Sequence, residues 1–175
     1  QGVKLAEPIA RFFHALDVLV LEGYGLTETS PVISCNRADP FRFGTVGTPI
    51  KNVEVRMAED GEILTRSPCV MKGYYGLEEA TCEALRDGWF HTGDLGAIDA
   101  DGFLKITGRK KEILVTSGGK KISPQLVEPQ FEEHPLIQRC YLYGDGKNFL
   151  TALIVPDFAE LEQKAAERGE SRAEP

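Results

Sequence analysis

The apolar residues near the start of the chain follow a helical spacing. They recur at i, i+3, i+4 and i+7, which places side chains on one face of an α-helix; the residues are Ile9, Phe12, Phe13 and Leu16. Pro8 precedes them and suits a first helical turn, where the backbone N–H has no helical partner to lose. The spacing predicts an amphipathic helix that begins near this proline.

A short, unbroken apolar run comes next. Val18 to Leu21 is typical of a strand that is buried on both faces, as in a parallel sheet. Residues 22–29 are polar and glycine-punctuated, so they should lie beyond the carboxyl end of the strand, where α/β sheets bind ligands. The run therefore predicts the end of a parallel-sheet subdomain.

From about residue 44, apolar and polar residues alternate over short stretches. Asp60-Gly61 and Asp101-Gly102 are dipeptides that favour hairpin turns. The predicted elements are strands at 53–57 and 62–65, a helix at about 77–85 and a strand at 103–106. Together they predict a small, β-barrel-like subdomain that closes near the last of these strands.

A second unit begins where polar residues become dense, around Arg109. We expect one domain at 1–108 and a small α+β domain at 109–175. Ser123-Pro124 is a good N-cap and first-turn pair for a helix that reaches about Glu133. The other predicted elements are strands at 113–116, 140–143 and 149–155 and a helix at 157–168. The fold class as a whole is mixed α+β.

Composition narrows the ligand classes. The chain has 20 Lys and Arg against 27 Asp and Glu, a net charge of -7, whereas nucleic-acid binding needs a basic face. The four cysteines form no CxxC pair, which argues against a zinc knuckle or a disulfide framework and favours a reducing compartment. No apolar run approaches the roughly 20 residues of a membrane helix. We therefore expect a cytoplasmic protein without nucleic-acid partners.

The loop Tyr24-Gly25-Leu26-Thr27-Glu28 combines groups that suit a nucleotide and its magnesium. An aromatic ring can lie against a purine, a threonine hydroxyl can donate to phosphate oxygens, and a carboxylate is the oxygen ligand that Mg²⁺ prefers. An ordinary polar loop would explain the same residues, because five-residue patterns recur by chance. The loop alone does not separate the two interpretations.

Three later stretches carry further candidates. Asp94 could accept hydrogen bonds from both ribose hydroxyls, each worth roughly 1.5 to 3 kcal/mol at a charged acceptor, although a turn-forming Asp and a packed His91 are the alternatives. Arg109 could reach back to a nucleotide and Lys111 could be a pivot between domains, but most charge runs are simply solvated. Ser117-Gly118-Gly119 could let a ligand pass close to bare backbone or could be a hairpin loop.

Taken together, the motifs supply a context. Four segments resemble motifs of the adenylate-forming superfamily, in the family's order: Tyr24–Ser30, Gly44–Pro49, Asp87–Asp94 and Gly102–Glu128. The resemblance covers about residues 2–158 and is specifically to bacterial-type long-chain fatty acid–CoA ligases (acyl-CoA synthetases). Four motifs at suitable separations make chance agreement a poor explanation.

The resemblance implies a two-step reaction. A fatty carboxylate attacks the α-phosphate of ATP to give acyl-adenylate and pyrophosphate, and the thiol of coenzyme A then displaces AMP. The expected ligands are therefore small molecules: fatty acid, ATP, Mg²⁺ and coenzyme A. A lipid substrate also implies peripheral contact of the full enzyme with the inner face of a membrane.

The resemblance also implies roles for individual residues. The nucleotide site would comprise Tyr24, Gly25, Thr27, Asp94 and Arg109, with Asp94 and Arg109 on the ribose. Glu28 would hold Mg²⁺, and Thr27 and Glu28 would be the catalytic pair. Lys111 would be the hinge about which the C-terminal domain rotates between the two steps, and Gly118 and Gly119 would line the path of the coenzyme A arm.

The family's upstream phosphate loop and its C-terminal lysine motif are not found in the chain. We therefore expect a C-terminal fragment of the enzyme that is inactive by itself. Two alternatives stay open at this point. One is another adenylate-forming enzyme, an aryl-CoA ligase or one that loads a carrier protein, and the other is a non-catalytic nucleotide-binding module.

Overall fold

The structure is a computed structural model, and it describes residues 7–168. The chain divides into two compact units, Gln1–Lys110 and Lys111–Pro175. Within residues 7–168, the helices are all too short or too polar to span a bilayer. The mixed α+β class is confirmed, whereas the assignment of two domains at 1–108 and 109–175 stays a prediction.

The described part of the first unit contains two helices and eight strands. The helices are α1 (Glu7–Ala15) and α2 (Glu78–Ala84). The strands are β1 (Gly23–Gly25), β2 (Val32–Cys35), β3 (Thr48–Pro49), β4 (Glu54–Met57), β5 (Glu62–Arg66), β6 (Leu85–Arg86), β7 (Trp89–Ile98) and β8 (Leu104–Arg109). Both predicted helices and both predicted hairpins are therefore present, because each depends on local spacing and turn residues.

The strands of this unit form two antiparallel sheets. One has the order β1-β2-β3, and the other has the order β4-β5-β7-β6, with β8 also paired to β7. Among the described strands, no pairing joins the ends of the five-stranded sheet, so it is an open sheet and the predicted barrel closure is not present. Ile33, Ile63 and Leu104 are fully buried, and burying such a side chain stabilises the fold by about 1.5 to 3 kcal/mol.

The strand predicted at Val18–Leu21 is not present in the structure. These residues form no strand, and every strand pairing among residues 7–168 is antiparallel. Val18, Leu19 and Leu21 are 42% to 51% exposed. An apolar run records a tendency to be buried, but a strand also needs a neighbour for its backbone hydrogen bonds. No strand of residues 7–168 pairs with this run.

The described part of the second unit is a smaller α+β unit. Its elements are β9 (Leu114–Val115), β10 (Lys121–Ile122), α3 (Pro124–Glu132), β11 (Ile137–Tyr143), β12 (Thr151–Pro156) and α4 (Phe158–Glu167). β9 pairs with β10, β11 pairs with β12, and α3 packs against β11. Asp157 caps α4 by accepting the N–H groups of Ala159 and Glu160 at 3.1 and 3.2 Å, as N-cap aspartates do.

Candidate functional site

An ion pair between neighbouring strands lies at the centre of the candidate site. Asp94 on β7 stands opposite Arg109 on β8, and Arg109 Nε donates a hydrogen bond of 2.8 Å to Asp94 Oδ1. The Asp94 side chain is 8% exposed and that of Arg109 is 30% exposed. A carboxylate removed from water needs such a charged donor, because an unpaired buried charge would destabilise the fold.

The ladder between β7 and β8 is irregular beside this pair. Leu95 pairs with Gly108 and Gly96 pairs with Ile106, so Thr107 is an extra residue in β8. A β-bulge of this kind turns the following side chain toward a different partner. The bulge is what brings Arg109, rather than the glycine before it, opposite the aspartate.

The Tyr24 hydroxyl is the second donor to this carboxylate. It donates a hydrogen bond of 2.7 Å to Asp94 Oδ2 across 70 residues of sequence. Burial and then the negative charge of Asp94 raise the pKa of the Tyr24 hydroxyl far above its ordinary value, with Arg109 opposing. Tyr24 therefore stays a protonated donor at neutral pH, and its ring edge is fixed beside the ion pair.

Asp94 still has unused acceptor capacity. An ionised carboxylate offers about four acceptor positions, and Tyr24 and Arg109 occupy one on each oxygen. Two positions are the number that the 2′ and 3′ hydroxyls of a ribose require. The geometry brings together three of the residues assigned to the nucleotide from the sequence, and their ribose role stays a prediction.

Thr29, and not Thr27, stabilises the loop that contains the candidate residues Thr27 and Glu28. The buried Thr29 hydroxyl accepts the Leu26 N–H at 3.1 Å and lies 2.8 and 2.9 Å from the carbonyl oxygens of Pro31 and Leu26. These contacts close the short 3₁₀ helix Thr27–Thr29. Thr27 is exposed, and its side chain makes no hydrogen bond within residues 7–168. Its hydroxyl is therefore available to a ligand.

Glycine 25 is required where the loop leaves β1. A Cβ atom built on it would lie 1.7 Å from the carbonyl oxygen of Pro31, in a neighbouring stretch of backbone. No side chain fits at that distance. The glycine assigned to the nucleotide site therefore has a packing role, and its own contact with a nucleotide stays a prediction.

Tyr74 is a functional candidate that the sequence analysis missed. Its hydroxyl donates a hydrogen bond of 3.0 Å to Glu28 Oε1, and the Met71 N–H donates one of 2.7 Å to the Glu28 carbonyl. Burial and the Glu28 carboxylate raise the pKa of the Tyr74 hydroxyl, so it remains a donor. Because 46 residues separate the two, no local signal connects them. The glutamate is thus held by both its backbone and its side chain.

The residues of the described chain fit a magnesium ion only in part. No group of three or more His, Cys, Asp or Glu side chains in residues 7–168 could hold a metal. Mg²⁺ is commonly held by one or two carboxylates together with phosphate oxygens and water. A single oriented Glu28 carboxylate fits that pattern, with a nucleotide as the source of the other oxygens.

The remaining predicted residues belong to the second unit. Lys111 is its first residue, directly after the unit boundary. Gly118 and Gly119 are exposed between β9 and β10, and the Gly119 N–H donates to the Thr116 carbonyl at 2.8 Å. That bond closes a hairpin loop. The hinge and coenzyme A roles of these three residues stay predictions.

Both family profiles and curated proteins match this chain. Residues 1–75 match the family profile described as AMP-binding enzyme, and residues 111–173 match that of the AMP-binding enzyme C-terminal domain. The chain is 47% identical over 156 residues to long-chain-fatty-acid–CoA ligase FadD15 of Mycobacterium bovis, covering 89% of this chain and 26% of the relative. It is 37% identical over 150 residues to the ligase ACSBG1 of Homo sapiens, covering 82% and 21%.

Solved structures of adenylate-forming enzymes share the fold of this chain. O-succinylbenzoate coenzyme A synthetase from Bacillus subtilis in complex with AMP superposes with a TM-score of 0.80 at 29% identity, over 96% of this chain and 38% of that one. The same enzyme with ATP and a magnesium ion gives 0.79 at 28% identity, over 95% and 38%. The chain spans about a quarter of the length of the curated ligases it matches. It belongs to the adenylate-forming superfamily, the AMP-binding enzymes.

Proposed function

We propose that this chain is part of an ATP-dependent long-chain fatty acid–CoA ligase. The reaction would join a fatty carboxylate to AMP with release of pyrophosphate, and would then transfer the acyl group to coenzyme A. The names of the relatives at 47% and 37% identity support a fatty substrate and coenzyme A as acceptor. The chain by itself is proposed to be inactive.

The observation that carries the proposal is the convergence on Asp94. Tyr24, Asp94 and Arg109 come from three separate stretches of the chain and meet around one buried carboxylate. Preformed donors and acceptors of this kind bind a ligand without the ordering cost that a flexible site would have. Such a site would hold the ribose of ATP, of the acyl-adenylate and of AMP in turn.

Glu28 and Thr27 would act at the phosphates. When bound, Mg²⁺ supplies positive charge that offsets the charge developing at the α-phosphate. The Glu28 carboxylate would orient that ion, and the exposed Thr27 hydroxyl would donate to a phosphate oxygen. The complex of the Bacillus subtilis synthetase with ATP and magnesium supports both ligands for this chain.

The second unit would serve the thioester step. Rotation about Lys111 would bring the loop at Gly118 and Gly119 toward the acyl-adenylate. Glycines there would leave room for the narrow pantetheine arm of coenzyme A. Domain rotations of this kind commonly use a few residues at the end of an element as the hinge, and Lys111 lies in the short 3₁₀ helix Lys110–Glu112.

A chimera tests the proposed function directly. The matched segment of FadD15 is replaced by this chain, and fatty-acid-dependent exchange of pyrophosphate into ATP is measured with carboxylates from acetate to palmitate and with benzoate. We expect exchange with the long-chain acids. A chimera that is folded by circular dichroism but shows no exchange with any carboxylate would overturn the proposal.

The acceptor is tested separately. Thioester formation is followed with coenzyme A and with a phosphopantetheinylated carrier protein, and coenzyme A is expected to be the better acceptor. For the non-catalytic alternative, calorimetry of the chain itself with ATP and with coenzyme A is the test. Binding tighter than about millimolar by the isolated chain would favour a nucleotide-sensing module.

We also propose that the full enzyme works in the cytoplasm, with peripheral contact at the inner face of a membrane. All four cysteines are free thiols, which supports a reducing compartment, and a fatty substrate partitions into bilayers. Fractionation of cells is the measurement, with release from membranes by salt expected. A periplasmic or extracellular location would contradict it.

A further inference from the structure

A second buried carboxylate lies beside the nucleotide pair and has no place in the reaction described so far. Glu62 is the first residue of β5, and its side chain is 6% exposed. Its Oε1 accepts the Gly93 N–H at 2.9 Å. Its Oε2 lies 3.1 Å from Lys110 Nζ and 3.2 Å from His91 Nδ1.

The partners of Glu62 flank the ion pair on both strands. Gly93 immediately precedes Asp94 on β7, and Lys110 immediately follows Arg109 at the end of β8. One carboxylate on a third strand therefore holds the residue next to each member of the pair. Because a strand residue moves with its neighbours, fixing both sides limits how far the pair can separate or rotate.

The backbone conformation at Gly93 favours glycine. Its φ is +72°, in the left-handed region that other residues adopt only with strain. In this conformation the Gly93 N–H points at Glu62 Oε1. Asp94 is the next residue along the strand. Gly93 is thus part of the arrangement.

Lys110 is held by two carboxylates. Its Nζ lies 2.5 Å from Asp60 Oδ2 as well as 3.1 Å from Glu62 Oε2. Asp60 also accepts the Glu62 N–H at 3.1 Å, which fixes the turn before β5. The last residue of the first unit is therefore tied to that turn.

Glu62 remains ionised in this setting. Burial would raise its pKa, but the hydrogen bonds from Lys110 and the Gly93 N–H, together with the contact to His91, outweigh burial and lower it. Ion pairs with one buried and one exposed partner contribute little net stability compared with a well-packed apolar residue. Their benefit lies more in fixing one geometry, which is the role that a preformed binding site requires.

We propose that Glu62 is a positioning residue for nucleotide binding: it fixes the Asp94–Arg109 pair through Gly93 and Lys110, and it anchors the chain immediately before Lys111. The inference rests on the proposed function for the identity of the ligand. It assigns Glu62 no contact with substrate. Lys110 acts with it, as the link from β8 to the turn at Asp60.

The variant Glu62→Gln in the chimera is the first test. Glutamine keeps the shape and one acceptor oxygen but loses the charge that holds Lys110. We expect the KM for ATP to rise by about tenfold, with kcat changed less, since the pair is loosened rather than removed. Glu54→Gln is the matched control, because Glu54 also pairs across a strand, with Arg66, but is 59% exposed; it should leave the KM for ATP unchanged.

The second readout needs no activity. In the isotope-labelled 175-residue chain, exchange of the Arg109 Nε proton with water reports the hydrogen bond to Asp94 directly. Glu62→Gln should speed this exchange by about tenfold, and Glu54→Gln should not. If the unsubstituted chimera shows no pyrophosphate exchange, the proposed function fails, and the proton-exchange result still decides the positioning role.

A further variant guards against misfolding. Lys110→Met removes the partner from a side chain that is 46% exposed, so the core of β5 stays intact. It should raise the KM for ATP and the Arg109 proton exchange in the same direction as Glu62→Gln, by a smaller factor. The proposal is overturned if Lys110→Met has the same KM for ATP and the same Arg109 proton exchange as the unsubstituted protein, whatever the result with Glu62→Gln.

Discussion

Arg109 lies directly opposite Asp94 on the neighbouring strand, and its Nε donates a hydrogen bond of 2.8 Å to Asp94 Oδ1. The pairing depends on one extra residue. If the ladder continued regularly from Ile98 and Leu104, Gly108 would face Asp94 instead, so the bulge at Thr107 selects the arginine. The charge pair that we assign to the ribose is therefore a consequence of strand register.

The first prediction concerns the charge of this pair. Asp94→Asn keeps one acceptor oxygen but replaces the other with an NH₂ group. The side chain then has no negative charge to attract Arg109. Hydrogen bonds to a charged group contribute about 1.5 to 3 kcal/mol, so the KM for ATP of the chimera should rise by about tenfold or more. Asp101→Asn is the control, because Asp101 pairs with Arg42 and is 67% exposed. Equal KM values for the two variants would contradict the ribose role.

The Tyr24 hydroxyl should stabilise the fold. Tyr24→Phe removes one donor from the buried Asp94 carboxylate and should lower the free energy of unfolding by about 1 to 3 kcal/mol. Urea denaturation of the 175-residue chain measures this. Tyr75→Phe serves as the control, since that side chain is fully exposed and should change the unfolding free energy by less than about 0.5 kcal/mol.

The same hydroxyl should make stability depend on alkaline pH. Burial and Asp94 raise the pKa of Tyr24 above its ordinary 10.0, so the folded chain keeps a proton that the unfolded chain releases. The stabilisation is fully present below about pH 10 and is lost as the pH rises above it. Urea midpoints at about pH 9 and pH 11 should differ less in Tyr24→Phe than in Tyr75→Phe. An equal difference would be evidence against the raised pKa.

Gly25→Ala should disrupt the nucleotide loop. The added Cβ would fall 1.7 Å from the Pro31 carbonyl oxygen, so the backbone must move, and we expect a loss on the order of 3 kcal/mol or more. Gly118→Ala is the comparison, because nothing lies within 4 Å of its added Cβ. Thermal unfolding of both variants is the measurement, and similar melting temperatures would show that the loop can relax.

Tyr74 should orient the glutamate assigned to magnesium. Tyr74→Phe removes the 3.0 Å hydrogen bond to Glu28 Oε1 and frees the carboxylate to rotate. The Mg²⁺ concentration for half-maximal pyrophosphate exchange should rise by about three- to tenfold. Glu28→Gln should have a larger effect in the same direction. If Tyr74→Phe leaves the Mg²⁺ dependence unchanged, Tyr74 has only a packing role.

Local patterns determined most of the secondary structure. The helical spacing around Phe12 predicts α1, the Asp60-Gly61 and Asp101-Gly102 turns predict their hairpins, and Asp157 predicts the start of α4. Each of these signals acts over a few residues, where backbone geometry and side-chain spacing are sufficient. The order of motifs was also enough to indicate the family and to single out Asp94 and Arg109.

Only the tertiary structure determined which side chains are hydrogen-bonded to each other. The Tyr24 hydroxyl reaches Asp94 across 70 residues and Tyr74 reaches Glu28 across 46, and no spacing rule links residues so far apart. The run at Val18–Leu21 was wrongly predicted to be a strand for the same reason. Hydrophobicity is a property of one residue, but a strand, a hydrogen bond and a shifted pKa each depend on which second group the folded chain brings within reach.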